Sequence, residues 1–183
     1  MSTIEKITIT DKILKLTESA PITEWGKKER DLAIEAFSRQ GIPNRKSEEY
    51  KYVNVELMLK AEFDLATADK ILTNEQIEHL YFLKNAYTVV IENGNYIEAL
   101  SNIQQLPKGL TISSLGTAAK DHTTVFEKHF SNYADIHADS FIALNTAMAT
   151  DGVFILIEKN TVIEKPIHIL HISTAKNNIR NNG

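Results

Sequence analysis

A chain of 183 residues, 43% hydrophobic and 24% charged, is long enough for a buried core and too apolar for disorder. Its formal net charge of −4 gives no electrostatic reason to expect nucleic acid, and the lack of cysteine excludes a disulfide framework while leaving the redox compartment unreadable. The start, Met1-Ser2-Thr3-Ile4-Glu5-Lys6, carries an acid and no continuous apolar segment, and the longest apolar run is Val153 to Ile157. Neither a secretory signal nor a membrane span is expected, and a cytoplasmic location is the default.

Residues 1–85 read as a helical module. From Ser19 to Gln40, Trp25, Leu32 and Ala36 fall on one face at helical spacing, with Ala33 and Phe37 beside them. Gly26 weakens the first turn of that helix. The densest basic cluster, Lys27, Lys28 and Arg30, is interleaved with Glu24, Glu29 and Asp31, so it reads as a solvated face. Gly41 is predicted to close the helix in a left-handed conformation, and Pro43 to stop it from resuming. Ser47 is placed to cap a new turn that opens with Glu48 and Glu49. Val55 to Lys60 predicts a short helix, and Asn74 to Lys84 a longer one capped by Thr73 or Asn74.

Residues 86–150 mix strands and helices. Thr88-Val89-Val90-Ile91 is a short β-branched run, and Asn93-Gly94 suits a tight turn into Tyr96-Ile97. Leu110 to Ser113 predicts another strand after the Leu106-Pro107-Lys108-Gly109 punctuation. Helical spacing returns through Val125, Phe126, His129, Phe130 and Tyr133, and again through Phe141, Leu144 and Met148. Residues 151–183 are strand-like. Val153, Ile155 and Ile157 point one way and Phe154 and Leu156 the other, which predicts a strand covered on both faces. The tail from Lys176 to Gly183 has the composition of a loop. The expected class is α+β.

Candidate chemistry is sparse. His168 and His171, three apart on a predicted strand, point to opposite faces and cannot grip one ion together. His122, His129 and His137 with Asp121, Asp135 and Asp139 have metal-ligand types, but their spacing fits no common zinc pattern. They support the rival reading, a small metal-dependent hydrolase using the His122–Asp139 region. Ser113-Ser114-Leu115-Gly116 lacks the glycine that a nucleophile elbow needs before its serine. The scattered glycines form no phosphate loop, and Glu48 and Glu49 diverge as neighbours on a helical turn do. Tyr50 and Tyr52 with Arg45 and Lys51 could form a surface for single-stranded nucleic acid, but packing of the joint is the better account in an acidic chain.

The order Gly41-Ile42-Pro43-Asn44-Arg45-Lys46-Ser47-Glu48-Glu49-Tyr50-Lys51-Tyr52 resembles the N-terminal signature of SufD-type subunits of the SUF iron–sulfur cluster assembly scaffold. There a helix ends in Gly-(Leu/Ile)-Pro, followed by a basic pair and Glu-x-Trp-Lys-Tyr. Arg45, Lys46, Glu48, Lys51 and Tyr52 match, and Tyr50 stands in the tryptophan's place. Val90 to Leu100 is similar to the family's strand, turn and second strand. Leu144-Asn145-Thr146-Ala147, Asp151 to Ile155 and Pro166 to Ile169 are similar to the approach to its β-helix core. The resemblance implies a non-catalytic scaffold, with 151–183 the first strands of a right-handed β-helix. It implies a homologous scaffold subunit and an ABC-type ATPase as partners in the intact protein, with no nucleic acid and no membrane. Read this way the chain is a fragment, and the family's cluster-assembly and ATPase-docking regions lie beyond it. Thiolate ligands for a cluster cannot come from a chain without cysteine. No catalytic, cofactor or metal residue is therefore assigned, and no cofactor is expected in this fragment. Its terminal strands are expected to pair with a second copy as a homodimer.

Overall fold

The structure, a computed structural model, describes residues 8–59 and 72–174. Its helices and strands run in the order α1 (Ile9–Ser19), α2 (Lys27–Gln40), α3 (Val55–Met58), α4 (Asn74–Ile77), β1 (Tyr87–Glu92), β2 (Asn95–Tyr96), β3 (Leu110–Ser114), α5 (Leu115–Asp121), α6 (Thr123–His129), α7 (Ser140–Ala147), β4 (Val153–Ile157) and β5 (Ile167–Ile172). The α+β class is as expected. Two compact units interleave along the chain, one within Met1–Leu65 and Thr123–Thr150, the other within Ala66–His122 and Asp151–Gly183.

The first unit is helical. Thr8 and Asp11 form a capping box at the start of α1, with the Thr8 N–H donating to Asp11 Oδ2 at 2.8 Å and the Asp11 N–H to Thr8 Oγ1 at 3.1 Å. Helix α2 turns Arg30, Ala33, Ala36 and Phe37 inward. Ala36 and Phe37 meet Ile13 of α1 and Ala143 of α7 in one apolar cluster, with Ile42 and Leu144 against it. Burying Phe37 fully contributes roughly 2–3 kcal/mol.

The inward face of α2 therefore keeps Ala33, Ala36 and Phe37 of the predicted stripe and leaves out Trp25 and Leu32. Leu32 is 47% exposed, and Trp25 lies before the helix. Gly26 stands at the N-cap in a left-handed conformation, φ 69°, which takes Trp25 off the helix face. There Trp25 meets Phe126 and Phe130 edge-on, with ring centroids 5.8 and 5.5 Å away. Those two phenylalanines stack at 4.8 Å. Helix α6 ends before the predicted spacing does: Ser131 turns left-handed at φ 57°, and Tyr133 is exposed. Helix α7 forms where the spacing predicted one, with Asp139 as N-cap, but its buried residues are Ser140, Ala143 and Ala147, and Met148 follows it as C-cap.

The second unit stacks two small sheets. One has the order β2-β1-β5, with β1 antiparallel to β2 and parallel to β5; the other is the antiparallel pair β3-β4. Asn93 and Gly94 make the predicted turn, both with positive φ (49° and 84°), and Ile91 faces Tyr96 across it. Tyr87, Val89 and Ile91 on one face of β1 pack against Leu110 and Ile112 of β3 and Val153 and Ile155 of β4. Val90 on the other face meets Ile77 and Leu100.

Every residue of β1 is buried, so β1 is the strand covered on both faces. The same expectation fails for β4, which is half-buried, with Ile157 48% exposed. Among the described residues only β3 pairs with β4, and its outer side gains the His122 ring on Phe154, 5.5 Å between centroids. The helix predicted over Asn74 to Lys84 stops at Ile77 and tightens into a 3₁₀ turn, Glu78–Leu80. Tyr81 leaves the helical path and donates its hydroxyl to the Leu100 carbonyl at 3.1 Å. The short helix predicted over Val55 to Lys60 forms as α3, and Lys60 lies outside the described residues. The predicted tail loop, 176–183, also lies outside them.

Candidate functional site

The connector between α2 and α3 has an anchored side and an open side. Gly41 ends α2 with φ 64°, and its N–H donates to the Phe37 carbonyl at 2.8 Å. The Ile42 N–H reaches Thr10 Oγ1 at 3.3 Å, and Pro43 is buried. Asn44 accepts the Lys46 N–H at 2.9 Å through Oδ1, setting the next bend. A 3₁₀ turn, Glu48–Tyr50, follows with Ser47 at its N-cap, but no side-chain bond comes from Ser47. The cap is made by backbone alone, the Tyr50 N–H donating to the Ser47 carbonyl at 3.0 Å.

Tyr50 is the anchor. Its hydroxyl donates to Asp139 Oδ2 at 2.6 Å, and its ring lies 5.9 Å from that of Phe141. The other oxygen of Asp139 accepts the Phe141 N–H at 2.6 Å. One carboxylate thus caps α7 and holds the connector. The hydrogen bond to that carboxylate, helped by burial and the nearby negative charges, pushes the Tyr50 phenol up to about 12.

The open side carries Arg45, Lys46, Glu48, Glu49, Lys51 and Tyr52. Lys51 pairs with Glu48 and also lies 5.2 Å from the centre of the Tyr52 ring. Tyr52 is 89% exposed, so the packing expected of both tyrosines holds for Tyr50 and fails for Tyr52. Leu57 and Met58 continue this exposed apolar surface along α3.

Among the histidine and aspartate candidates, His122, His129, Asp135 and Asp139 have separate partners. His122 stacks on Phe154, and His129 bonds Tyr133 through Nδ1. The His137 N–H donates to Asp135 Oδ1 at 2.8 Å, Asp139 serves Tyr50 and α7, and Asp121 is exposed. Among the described residues no three His, Cys, Asp or Glu side chains are placed to hold a metal ion. The hydrolase reading thus finds no support. His168 and His171 lie on β5 opposite Thr88 and Ile91, on opposite faces as expected. Ser114, within the rejected serine motif, caps α5 by accepting the Thr117 N–H at 3.0 Å.

Two arrangements escaped the reading of the sequence. Arg30, taken for a solvated side chain, is 8% exposed, and its guanidinium donates to the carbonyls of Thr17 (2.5 Å), Pro21 (3.1 Å) and Ala20 (3.4 Å). It closes the negative end of α1, an end with no basic residue in its own last turn. The signal was present: Arg30 lies three residues before Ala33 and seven before Phe37, at the spacing of a buried face. The second is Glu92, 2% exposed, whose Oε1 accepts the Thr174 hydroxyl at 3.1 Å. No pattern in the sequence marks it. No helix among the described residues is long and apolar enough to cross a membrane.

The family model described as SufBD protein N-terminal region matches residues 12–169. The chain is 27% identical over 151 residues to the iron–sulfur cluster assembly SufBD family protein slr0076 of Synechocystis, an overlap of 80% of this chain and 32% of that protein. It is 26% identical over 87 residues to the iron–sulfur cluster assembly protein SufD of Bacillus subtilis, an overlap of 46% of this chain and 20% of that protein. The matches thus cover about a third or less of either relative's length.

Proposed function

This chain belongs to the SufBD family, and from that premise we propose that it is a non-catalytic scaffold component of SUF-type iron–sulfur cluster assembly. The observation that carries the reading is the placement of the signature residues. Gly41, Pro43 and Tyr50 fix the connector to the helices around it, and no reactive group is poised among them. Such residues shape a surface; they do not perform a reaction. The exposed half of the connector, with Lys51, Tyr52, Leu57 and Met58, is available for a partner. Its partners on this reading are a homologous scaffold subunit and an ABC-type ATPase, in the cytoplasm. The cluster is cargo built on that assembly, and with no cysteine this chain contributes no thiolate to it.

The same proposal takes β4 and β5 as the first strands of a right-handed β-helix. Parallel pairing of β1 with β5 supports it, as does the exposure of Ile169 (42%) in line with the fully buried Val89. A further strand beside β5 would cover that edge. A second copy pairing through these strands would cover the same edge.

The test is co-purification of the tagged chain with the homologous subunit and the ATPase from the same genome, beside anaerobic reconstitution of the chain alone with iron and sulfide. Retention of the homologous subunit and a colourless lone chain are the expected results. A stable cluster on the lone chain would overturn the scaffold reading, and failure to retain the homologous subunit would overturn the partnership.

A further inference from the structure

We propose that Asn93 is a covalent modification site, an asparagine whose deamidation is held back by the pairing of β5 with β1. In an Asn-Gly pair the reaction needs only water and a base. The Gly94 amide nitrogen bonds to Asn93 Cγ, the Cγ–Nδ2 bond breaks, and Nδ2 leaves as ammonia, taking up the proton that the amide nitrogen lost. The cyclic imide then adds water and opens at either carbonyl, giving aspartate or isoaspartate. No oxidant or reductant takes part. A glycine in the second position leaves the attacking nitrogen unshielded. Gly94 is exposed, with nothing within 4 Å of where a Cβ would stand.

What restrains the reaction is the other side of the turn. Asn93 Nδ2 donates to Thr174 Oγ1 at 2.8 Å, and Asn93 Oδ1 accepts the Thr174 N–H at 2.9 Å. The Asn93 N–H donates to the Ile172 carbonyl at 2.9 Å, and the Asn93 carbonyl accepts from Asn95 Nδ2 at 3.2 Å. Both ends of the carboxamide are therefore tied to the residues that close β5, and Cγ reaches the Gly94 nitrogen only when those ties open. Reactivity is coupled to one event, release of the C-terminal end of β5.

The product holds that end open. An aspartate at 93 cannot donate to Thr174 Oγ1, and it sets a second carboxylate beside Glu92, whose Oε2 is buried without a partner. Isoaspartate also lengthens the backbone inside a two-residue turn and shifts the register of Ile91 with Tyr96. Deamidation at Asn93 thus records, irreversibly, that this strand pair has opened.

Peptide mapping by mass spectrometry, after incubation in mildly alkaline buffer, separates this pair from the Asn182-Gly183 pair of the same chain. Folded protein should convert at Asn93 at least about tenfold more slowly than protein kept in urea, the factor set by two hydrogen bonds that must open first. Thr174→Val, which removes the hydroxyl partner and keeps the shape, should convert faster than the parent, and Thr174→Ser should restore the slow rate. Equal rates in folded and urea-unfolded parent would overturn the proposal whether or not the variants fold. So would a folded Thr174→Val that converts no faster than the parent. Asn93→Asp mimics one product and should lower the urea midpoint; an unchanged midpoint would overturn the claim that the modification holds β5 open.

Discussion

Tyr50 and Asp139 are 89 residues apart in sequence and share a hydrogen bond of 2.6 Å, while the second oxygen of the same carboxylate caps α7. The pair therefore fastens the connector to a helix that the chain builds much later. Tyr50→Phe and Asp139→Asn, singly and together, should reveal a coupling of roughly 1 kcal/mol in urea melts. Asparagine also serves as an N-cap, so Asp139→Asn keeps the cap and exchanges the charge-assisted bond to the phenol for a neutral one. Additive single effects would mean that the two side chains are neighbours without being partners.

The same bond sets a pH dependence. The Tyr50 phenol titrates near 10 in the unfolded chain and about 12 in the folded one, because it donates to a carboxylate. A folded value raised above the unfolded one gives stability that is complete below pH 10 and lost as the pH rises from 10 through about 12. Ultraviolet titration of the folded protein should show a late-ionising tyrosine that disappears in Tyr50→Phe. A titration curve unchanged by that substitution would assign the late phenol elsewhere.

Arg30→Met keeps an apolar stem and deletes the donors that close α1. The expected loss is roughly 2–3 kcal/mol, the worth of hydrogen bonds to a charged group together with the carbonyls left behind. Arg30→Lys should recover little, since one ammonium cannot reach three carbonyls in the guanidinium's fork geometry. Far-ultraviolet dichroism against urea measures both. Full stability in Arg30→Lys would mean that charge alone closes the helix.

Gly41→Val and Pro43→Ala should each lower stability more than any histidine substitution. Gly41 has φ 64°, where a β-branched residue is strained by roughly 1–2 kcal/mol. Gly26→Ala and Gly41→Ala should both lower stability, for different reasons. Gly41 combines φ 64° with ψ −163°, a region close to glycine-only, and a Cβ there finds its first neighbour at 3.4 Å. Gly26 sits in the left-handed helical region, and a Cβ there would stand 2.9 Å from Phe130 Cε1. Phe130 is wedged against Phe126 and Trp25 and has little room to yield. An unchanged urea midpoint for either variant would mean that its glycine is not required there.

Ile169→Lys should weaken self-association of the purified chain, because a charge at a strand-to-strand contact must be desolvated. Sedimentation velocity over a range of concentrations follows it. A parent protein that stays monomeric throughout the micromolar range would remove the second-copy pairing proposed for β5.

How much could be read beforehand depended on the range of the interactions involved. The end of α2 at Gly41, the turn at Asn93-Gly94 and the opposite faces of His168 and His171 were all legible, because each follows from the torsion preferences or side-chain alternation of adjacent residues. The inward face of α2 was legible in Ala33, Ala36 and Phe37 and misjudged at its start: one left-handed glycine removed Trp25 from the helix, and Leu32 is exposed. Arg30 looked solvated because charge patterning along a helix says nothing about a neighbouring helix whose carbonyls need donors. The histidines and aspartates of the His122–Asp139 region had suitable chemistry, and only their separate partners in space show that they do not converge.

By itself the sequence determined the α+β class, the end of α2 at Gly41, the hairpin turn and the signature that places the chain in its family. Local stereochemistry and residue order carry that information, and both act over a few residues. Tertiary structure alone decided that β1, and not β4, is the strand covered on both faces, since coverage depends on which sheet stacks on which. It also decided that β5 pairs in parallel with β1, that Asp139 receives Tyr50, and that Thr174 ties down Asn93. Those pairings join residues 80 or so positions apart, where no local preference operates and only the packing of the whole unit selects the partner.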